Sequence, residues 1–172
     1  MQDTVYSRFQ KYNCLRMTQV KGLMKDIMSS DEAEAKVSDL LLQGKIICVD
    51  NKYFGLTGNV DTALVKTIDI MLILSRPYKL ILHNHGFPHC TLYYKTQSQA
   101  GVKSYCIISV RKKHEWQDTR KLDLLAQSNI LIFMLEDIRQ RVHVQRYKDS
   151  VYAVKSDGKY KFYVDKGGKN EF

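Results

Sequence analysis

Residues 18–56 constrain the chain most. They carry two helical periods and then two short β-like runs, in an order few folds share. Val20, Leu23, Met24 and Ile27 repeat at helical spacing behind Thr18, which predicts a helix over 19–28 with Thr18 as its N-cap. Ser29, Ser30 and Asp31 supply a turn and caps for a second helix. That helix shows Ala33, Val37, Leu40 and Leu41 on one face, and Gly44 is suited to stop it. Runs 45–49 and 53–56 follow, with Asp50-Asn51 as the turn between them. A short opening helix over 4–12, with Val5 and Phe9 four apart, would pack behind the pair. Helix, helix, helix and hairpin in this order is the pattern of a winged helix, a fold that binds DNA in many proteins and other proteins in some.

Beyond residue 58 the periodicity changes. Residues 61–74 form an apolar helix candidate through Leu64, Val65, Ile68, Met71 and Leu72, ended by Arg76-Pro77. Residues 80–82 are a short apolar run of uncertain type. CTLYYK (90–95) and SYCIISV (104–110) read as an antiparallel pair of strands around a polar loop at 97–101. A helix is expected over 119–127. NILIFML (129–135) lacks alternation, as a strand buried on both faces does. Residues 136–142 are ambiguous. Runs 151–154 and 160–164 flank Ser156-Asp157-Gly158, a hairpin signal. The expectation is an α+β chain: a winged-helix domain over 1–58, a small α/β domain with a mixed sheet over 61–166, and a frayed tail over 167–172.

Charge qualifies the DNA reading. The net charge is +9, which favours an anionic partner. Residues 1–60 carry 8 Lys and Arg against 7 Asp and Glu; residues 61–172 carry 19 against 11. The basic character therefore lies in the second half. Arg111, Lys112 and Lys113 form one cluster, and Arg139, Arg141, Arg146 and Lys148 another. Each suits phosphate contacts or, more plainly, a solvated rim. In the winged-helix segment Lys36, Lys45 and Lys52 are the candidates for DNA contact. The second helix presents Asp31, Glu32, Glu34 and Asp39, which repel phosphate. Glu32, Glu34 and Asp39 are candidates for binding a basic protein partner instead.

His83, His85 and His89 with Cys90 lie within eight residues and offer zinc-type ligands. No second ligand pair stands at zinc spacing elsewhere, and Gly86 and Pro88 read equally as a turn. A polar loop is the expected state of this segment. The helix and strand order also invites comparison with restriction-endonuclease-like folds, which need carboxylates on two core strands to hold metal. Runs 90–95 and 104–110 contain none, and Glu115 has no x-Lys partner, so a non-catalytic relative is the form left open. No nucleophile elbow or glycine-rich phosphate loop occurs. Neither an enzyme activity nor a cofactor is expected.

Cys14, Cys48, Cys90 and Cys106 are scattered without a C-x-x-C pair; apolar neighbours of Cys14, Cys48 and Cys106 favour buried, reduced thiols. No apolar segment approaches the ~18 residues of a membrane span. The first residues lack a signal-peptide core, so the cytoplasm is the expected location.

Four features in order carry a resemblance. They are Cys14-Leu15-Arg16 with the later LLxxGKI segment from Leu40; Phe87-Pro88 before a strand ending in Tyr93-Tyr94; Tyr105-x-Ile107 with Glu115 soon after; and Val154-x-x-Asp157-Gly158-Lys159-x-x-Phe162-Tyr163. On these, the chain resembles an uncharacterised winged-helix family, carrying a domain of unknown function, from conjugative elements, plasmids and phages of Gram-positive bacteria. That family is akin to replication-relaxation, or relaxosome accessory, proteins. The resemblance implies a DNA-associated accessory or regulatory role on a mobile genetic element, and no catalytic residues. Proteins of such elements also include anti-CRISPR-like inhibitors that bind a protein or nucleoprotein, and a metal-dependent nuclease is the remaining alternative.

Overall fold

The computed structural model describes residues 4–164. The chain is mixed α+β and divides into two compact units, the boundary falling between Ile73 and Leu74.

The first unit runs α1 (Thr4–Tyr12), β1 (Cys14–Leu15), α2 (Met17–Met24), α3 (Ser30–Leu42), β2 (Ile47–Val49), β3 (Tyr53–Gly55) and α4 (Thr62–Leu74). Its strands form an antiparallel sheet in the order β1-β3-β2. Helix α1 has the expected bounds and buries Val5, Phe9 and Tyr12. Helix α2 differs from expectation. It starts at Met17 because Gln19, not Thr18, completes the cap, its Oε1 accepting from the Arg16 backbone N–H at 3.0 Å. Ser29 caps α3 as a capping box: Ser29 Oγ accepts from Glu32 N, and Glu32 Oε2 from Ser29 N. Gly44 at φ +65° ends α3, with Lys45 N bonded to Leu40 O and Gly44 N to Leu41 O, a Schellman closure. Asp50 and Asn51 both take φ near +50° at the hairpin tip. Strand β1 is too short to leave a periodic signal in sequence.

Helix α4 belongs to this unit, apart from its last residue, rather than beginning the second domain. Gln19 is the reason: it is buried, and its Nε2 donates to Val65 O (2.6 Å) and Asp69 Oδ1 (2.8 Å). Arg16 also pairs with Asp69. Helices α2 and α4 approach so closely at Gly22 that a Cβ there would lie 2.9 Å from Leu72 Cδ1.

The second unit is a six-stranded sheet in sequential order: β4 (Lys79–Phe87), β5 (Cys90–Ser98), β6 (Gly101–Ser109), β7 (Ile130–Leu135), β8 (Val151–Ser156) and β9 (Lys159–Val164). Strands β4 to β6 are an antiparallel meander. Strand β7 runs parallel to both β6 and β8, and β9 closes the sheet antiparallel. The central position of β7 explains its unalternating sequence: Leu131 to Leu135 are all buried. One sheet face, with Cys106, Ile108, Leu131, Phe133, Leu135 and Tyr152, packs against Leu122, Val144 and Tyr147. Phe133 lies between Tyr147 and Tyr152, at 6.2 and 5.8 Å between ring centroids.

Three expectations for this unit are corrected. Residues 80–82 and most of the histidine segment form one strand, β4, not a run and a loop. Edge position lets β4 carry polar residues, and a bulge at Leu80/Leu82 adjusts its register. The loop at 97–101 shrinks to a tight turn between β5 and β6. The helix expected over 119–127 is two short ones, α5 (Glu115–Thr119) and α6 (Asp123–Ser128). Tyr147 holds the break: its hydroxyl donates to Thr119 O (2.8 Å) and accepts from Leu122 N (3.1 Å), while Lys121 takes φ +69°. The ambiguous residues form a 3₁₀ helix, Ile138–His143. Hairpin β8–β9 turns at Asp157-Gly158 as expected, both at positive φ.

All four cysteines are free; Cys14, Cys90 and Cys106 are buried, but Cys48 is exposed, because its side of the β2–β3 hairpin is uncovered. Among the described residues no helix is long and apolar enough to cross a membrane. The tail expected over 167–172 lies outside the described residues.

Candidate functional site

Parallel pairing of β6 and β7 brings their C-terminal ends side by side, and the chain leaves both through charged loops. In open α/β sheets ligands bind beyond the carboxyl ends of parallel strands. Here the two loops line a pocket of about 530 Å³ with Lys112, Lys113, Glu115, Asp137, Arg139, Gln140 and His143. The two basic clusters, far apart in sequence, thus meet in part: Lys112 and Lys113 come from one, Arg139 from the other.

Glu115 and Gln140 hold the pocket together. Both are buried, and Gln140 Nε2 donates to Glu115 Oε1 at 2.9 Å. Gln140 Oε1 in turn accepts from the backbone N–H of Glu136 (2.7 Å) and Asp137 (3.0 Å). The Gln140 hydrogen bond, backbone N–H groups at Glu115 and Lys113, and the His143 ring hold the Glu115 carboxyl below its ordinary range. Hydrogen bonds from Arg139, side chain first and then backbone, together with the charges of Arg139 and Lys112, lower the Asp137 carboxyl to about 2.

These carboxylates are poor proton shuttles. A general acid or base working near neutral pH needs a pKa moved towards 7, and both are moved away from it. Among the described residues, no Ser, Thr or Cys lines the pocket to act as a nucleophile. What the ring of Lys112, Lys113, Arg139 and His143 can do is receive an anion's oxygens.

The other expected residues distribute as follows. Arg111 lies beside the pocket, bound to Asp118 through its backbone N–H (2.8 Å) and its guanidinium (2.6 Å). Arg139 is paired with Asp137 yet remains highly exposed. Arg141 stacks on Tyr152, its guanidinium carbon 6.0 Å from the ring centroid. Arg146 and Lys148 are exposed but do not line the pocket. In the first unit Lys36 is exposed on α3, Lys45 follows the α3 cap, and Lys52 lies by the hairpin tip with Nζ 5.3 Å from the Tyr53 ring centroid. Glu32 is engaged in the α3 capping box, Glu34 pairs with Lys21 at 2.5 Å, and Asp39 is exposed near the end of α3.

His83 and His85 share one face of β4, two residues apart, with His83 buried and His85 exposed; His89 lies in the β4–β5 turn at φ +60°. Among the described residues no three His, Cys, Asp or Glu side chains gather where a metal could be held.

Glu115, Asp137, Gln140 and His143 escape a sequence reading as members of one site. The available signal was charge directly after an apolar strand, twice: RKKHE after β6 and EDIR after β7. Compared with known proteins, the chain matches no family model, no curated protein and no solved structure.

Proposed function

We propose that this protein is a non-enzymatic, DNA-binding accessory or regulatory protein of a mobile genetic element, working in the cytoplasm. The observation that carries the DNA reading is the convergence of Lys112, Lys113, Arg139 and His143 around one open pocket at the ends of parallel strands. Two order-specific features support a winged helix in the first unit: the succession α1-β1-α2-α3-β2-β3 and the strand order β1-β3-β2. The mobile-element role rests on the family resemblance of the sequence.

Within this reading α3 is not a base-reading helix. Its exposed side carries Asp31, Glu32, Glu34 and Asp39 against one Lys36. Contacts to the phosphate backbone come from Lys45 and Lys52 beside the hairpin and from the pocket of the second unit. The mixed sheet with a charged pocket at its strand ends supports a restriction-endonuclease-like fold for the second unit. The lack of any carboxylate on β5 or β6 supports a non-catalytic form.

Inhibition of a defence complex by nucleic-acid mimicry is less well supported. Glu32 and Glu34 are already committed, to the α3 cap and to Lys21.

Fluorescence anisotropy against random duplex DNA, single-stranded DNA and RNA at two salt concentrations tests the proposal. Duplex binding that weakens steeply with salt is expected. No duplex binding at low salt refutes it and redirects attention to a protein partner.

A further inference from the structure

A second pocket, of about 330 Å³, opens at the other end of β6, where the chain enters the strand. Its walls come from the β4–β5 hairpin, from β6 and from α6. Register places Tyr93, Lys95 and Ser104 on one face of the sheet: Tyr93 is opposite Cys106 and Lys95 opposite Ser104. Helix α6 covers that face with Leu125 and Ser128, and Asn129 follows it.

Phe87 and Tyr93 are stacked here, ring centroids 5.0 Å apart, yet Phe87 is 44% exposed. Lys95 Nζ lies 5.9 Å from the centroid of Tyr93. Tyr93 is half-buried and backs Phe87, so the exposed ring of Phe87 is the platform on which an unpaired base can stack, with the nearby cation serving the adjoining phosphate. The rim is polar. Asn129 Nδ2 is used on Leu125 O (2.8 Å) and Ser128 Oγ (3.1 Å), which leaves its Oδ1 as an acceptor for a base amino group. The volume is at the small end of ligand pockets and suits one nucleotide. Bases inside a duplex expose only their edges, so a ring-face platform needs a base out of the stack.

We infer that the Phe87–Tyr93 pocket holds a single unpaired nucleobase of a nucleic acid, with Lys95 on its phosphate and Asn129 on its amino edge. This takes its ligand class from the nucleic-acid reading above but does not depend on duplex docking.

The test uses the full chain and two DNA duplexes of equal length, one fully paired and one with a single bulged 2-aminopurine. Wild type is expected to bind the bulged duplex more tightly and to quench the 2-aminopurine. Phe87→Ala removes an exposed ring and should reduce the bulged-to-paired preference by roughly 5-fold or more, leaving affinity for the paired duplex unchanged. No preference and no quenching in wild type overturns the inference, even where paired duplex binds; so does an unaltered preference in Phe87→Ala. A pocket that takes an apolar peptide side chain instead gives that same negative result. Bulge preference with weak paired-duplex binding upholds the inference and counts against duplex docking alone.

Discussion

Gln140 donates a 2.9 Å hydrogen bond to Glu115, joining the segment after β6 to the one after β7. The bond sits where two parallel strands end, so one side-chain pair fixes the mutual position of Lys112, Lys113 and Arg139. Replacing Gln140 with Leu takes one hydrogen bond from the Glu115 carboxylate, which keeps its backbone donors, and leaves the Glu136 and Asp137 N–H groups without their partner. The expected cost is ~1–3 kcal/mol in urea unfolding. A loss of duplex affinity larger than the loss of fold stability explains should accompany it. Unchanged stability would show that the loops are held by other contacts.

Two carboxylates at this pocket, Glu115 and Asp137, give the protein an acid-sensitive component of stability. Glu115 and Asp137 both have folded pKa values below their ordinary ones, Asp137 falling from 3.8 to about 2. A depressed carboxylate stabilises the fold fully above its unfolded pKa and stops doing so as pH falls through the folded value. Thermal stability should therefore decline across this interval, and the Glu115→Gln, Asp137→Asn double variant should decline less. Because Asp137 lies at the surface, its share should shrink further in high salt. Parallel melting curves at pH 5 and pH 2.5 make the comparison; equal declines would remove these groups from the acid response.

Lys112 and Lys113 differ from Arg111 in what they are free to do. Arg111 is bound to Asp118 and holds the turn before α5. Lys112→Ala with Lys113→Ala should lower the slope of log affinity against log salt by up to about 2, since each backbone phosphate contact contributes about 0.9. Arg111→Ala alone should change the slope less and melt earlier. An unaltered slope in the double lysine variant would take the pocket out of the DNA interface.

Much of the secondary structure is legible in sequence, and the reasons are local. The 29–31 cap segment, Gly44, Asp50-Asn51 and Asp157-Gly158 mark caps and turns whose chemistry is complete within a few residues, although the pairing of Ser29 with Glu32 emerges only in the structure. Strand β7 betrays its central position by apolarity alone. What was missed is decided across the fold. The break between α5 and α6 is made by Tyr147, more than twenty residues later. Strand β4 hides behind His83, Asn84, His85 and Gly86, whose polarity and glycine suit an edge but read as a loop. The pocket depends on parallel pairing of β6 and β7, which places Glu115 beside Gln140; neither residue alone carries a sign of it.

Gln19 shows the same non-local logic in the first unit. Its amide caps Arg16 N and reaches Val65 O and Asp69 Oδ1, so one buried side chain closes α2 and ties it to α4. Gln19→Leu keeps the volume but strands these partners, and ~1–3 kcal/mol of destabilisation is expected. Gly22→Ala should also destabilise, by crowding Leu72, and a Leu72→Ala change on top of it should relieve the crowding. Additive effects of the Gly22 and Leu72 changes in a double-mutant cycle would contradict this packing.

Tyr94 offers the opposite sign. It is fully buried on β5 and stacked on Tyr105, with centroids 4.6 Å apart and planes 8° from parallel. Its hydroxyl has no hydrogen-bond partner among the described residues. A buried hydroxyl without a partner costs the fold its hydration, so removing the oxygen while keeping the ring should be neutral or stabilising by up to ~1–2 kcal/mol. Tyr94→Phe is the variant, and its urea midpoint the measurement. Tyr94→Leu, which sacrifices the stacked ring, should destabilise and so separate the ring's contribution from the oxygen's. If Tyr94→Phe instead loses more than ~1 kcal/mol, the hydroxyl is hydrogen-bonded in solution, through a buried water or a rearranged neighbour, and carries no burial cost.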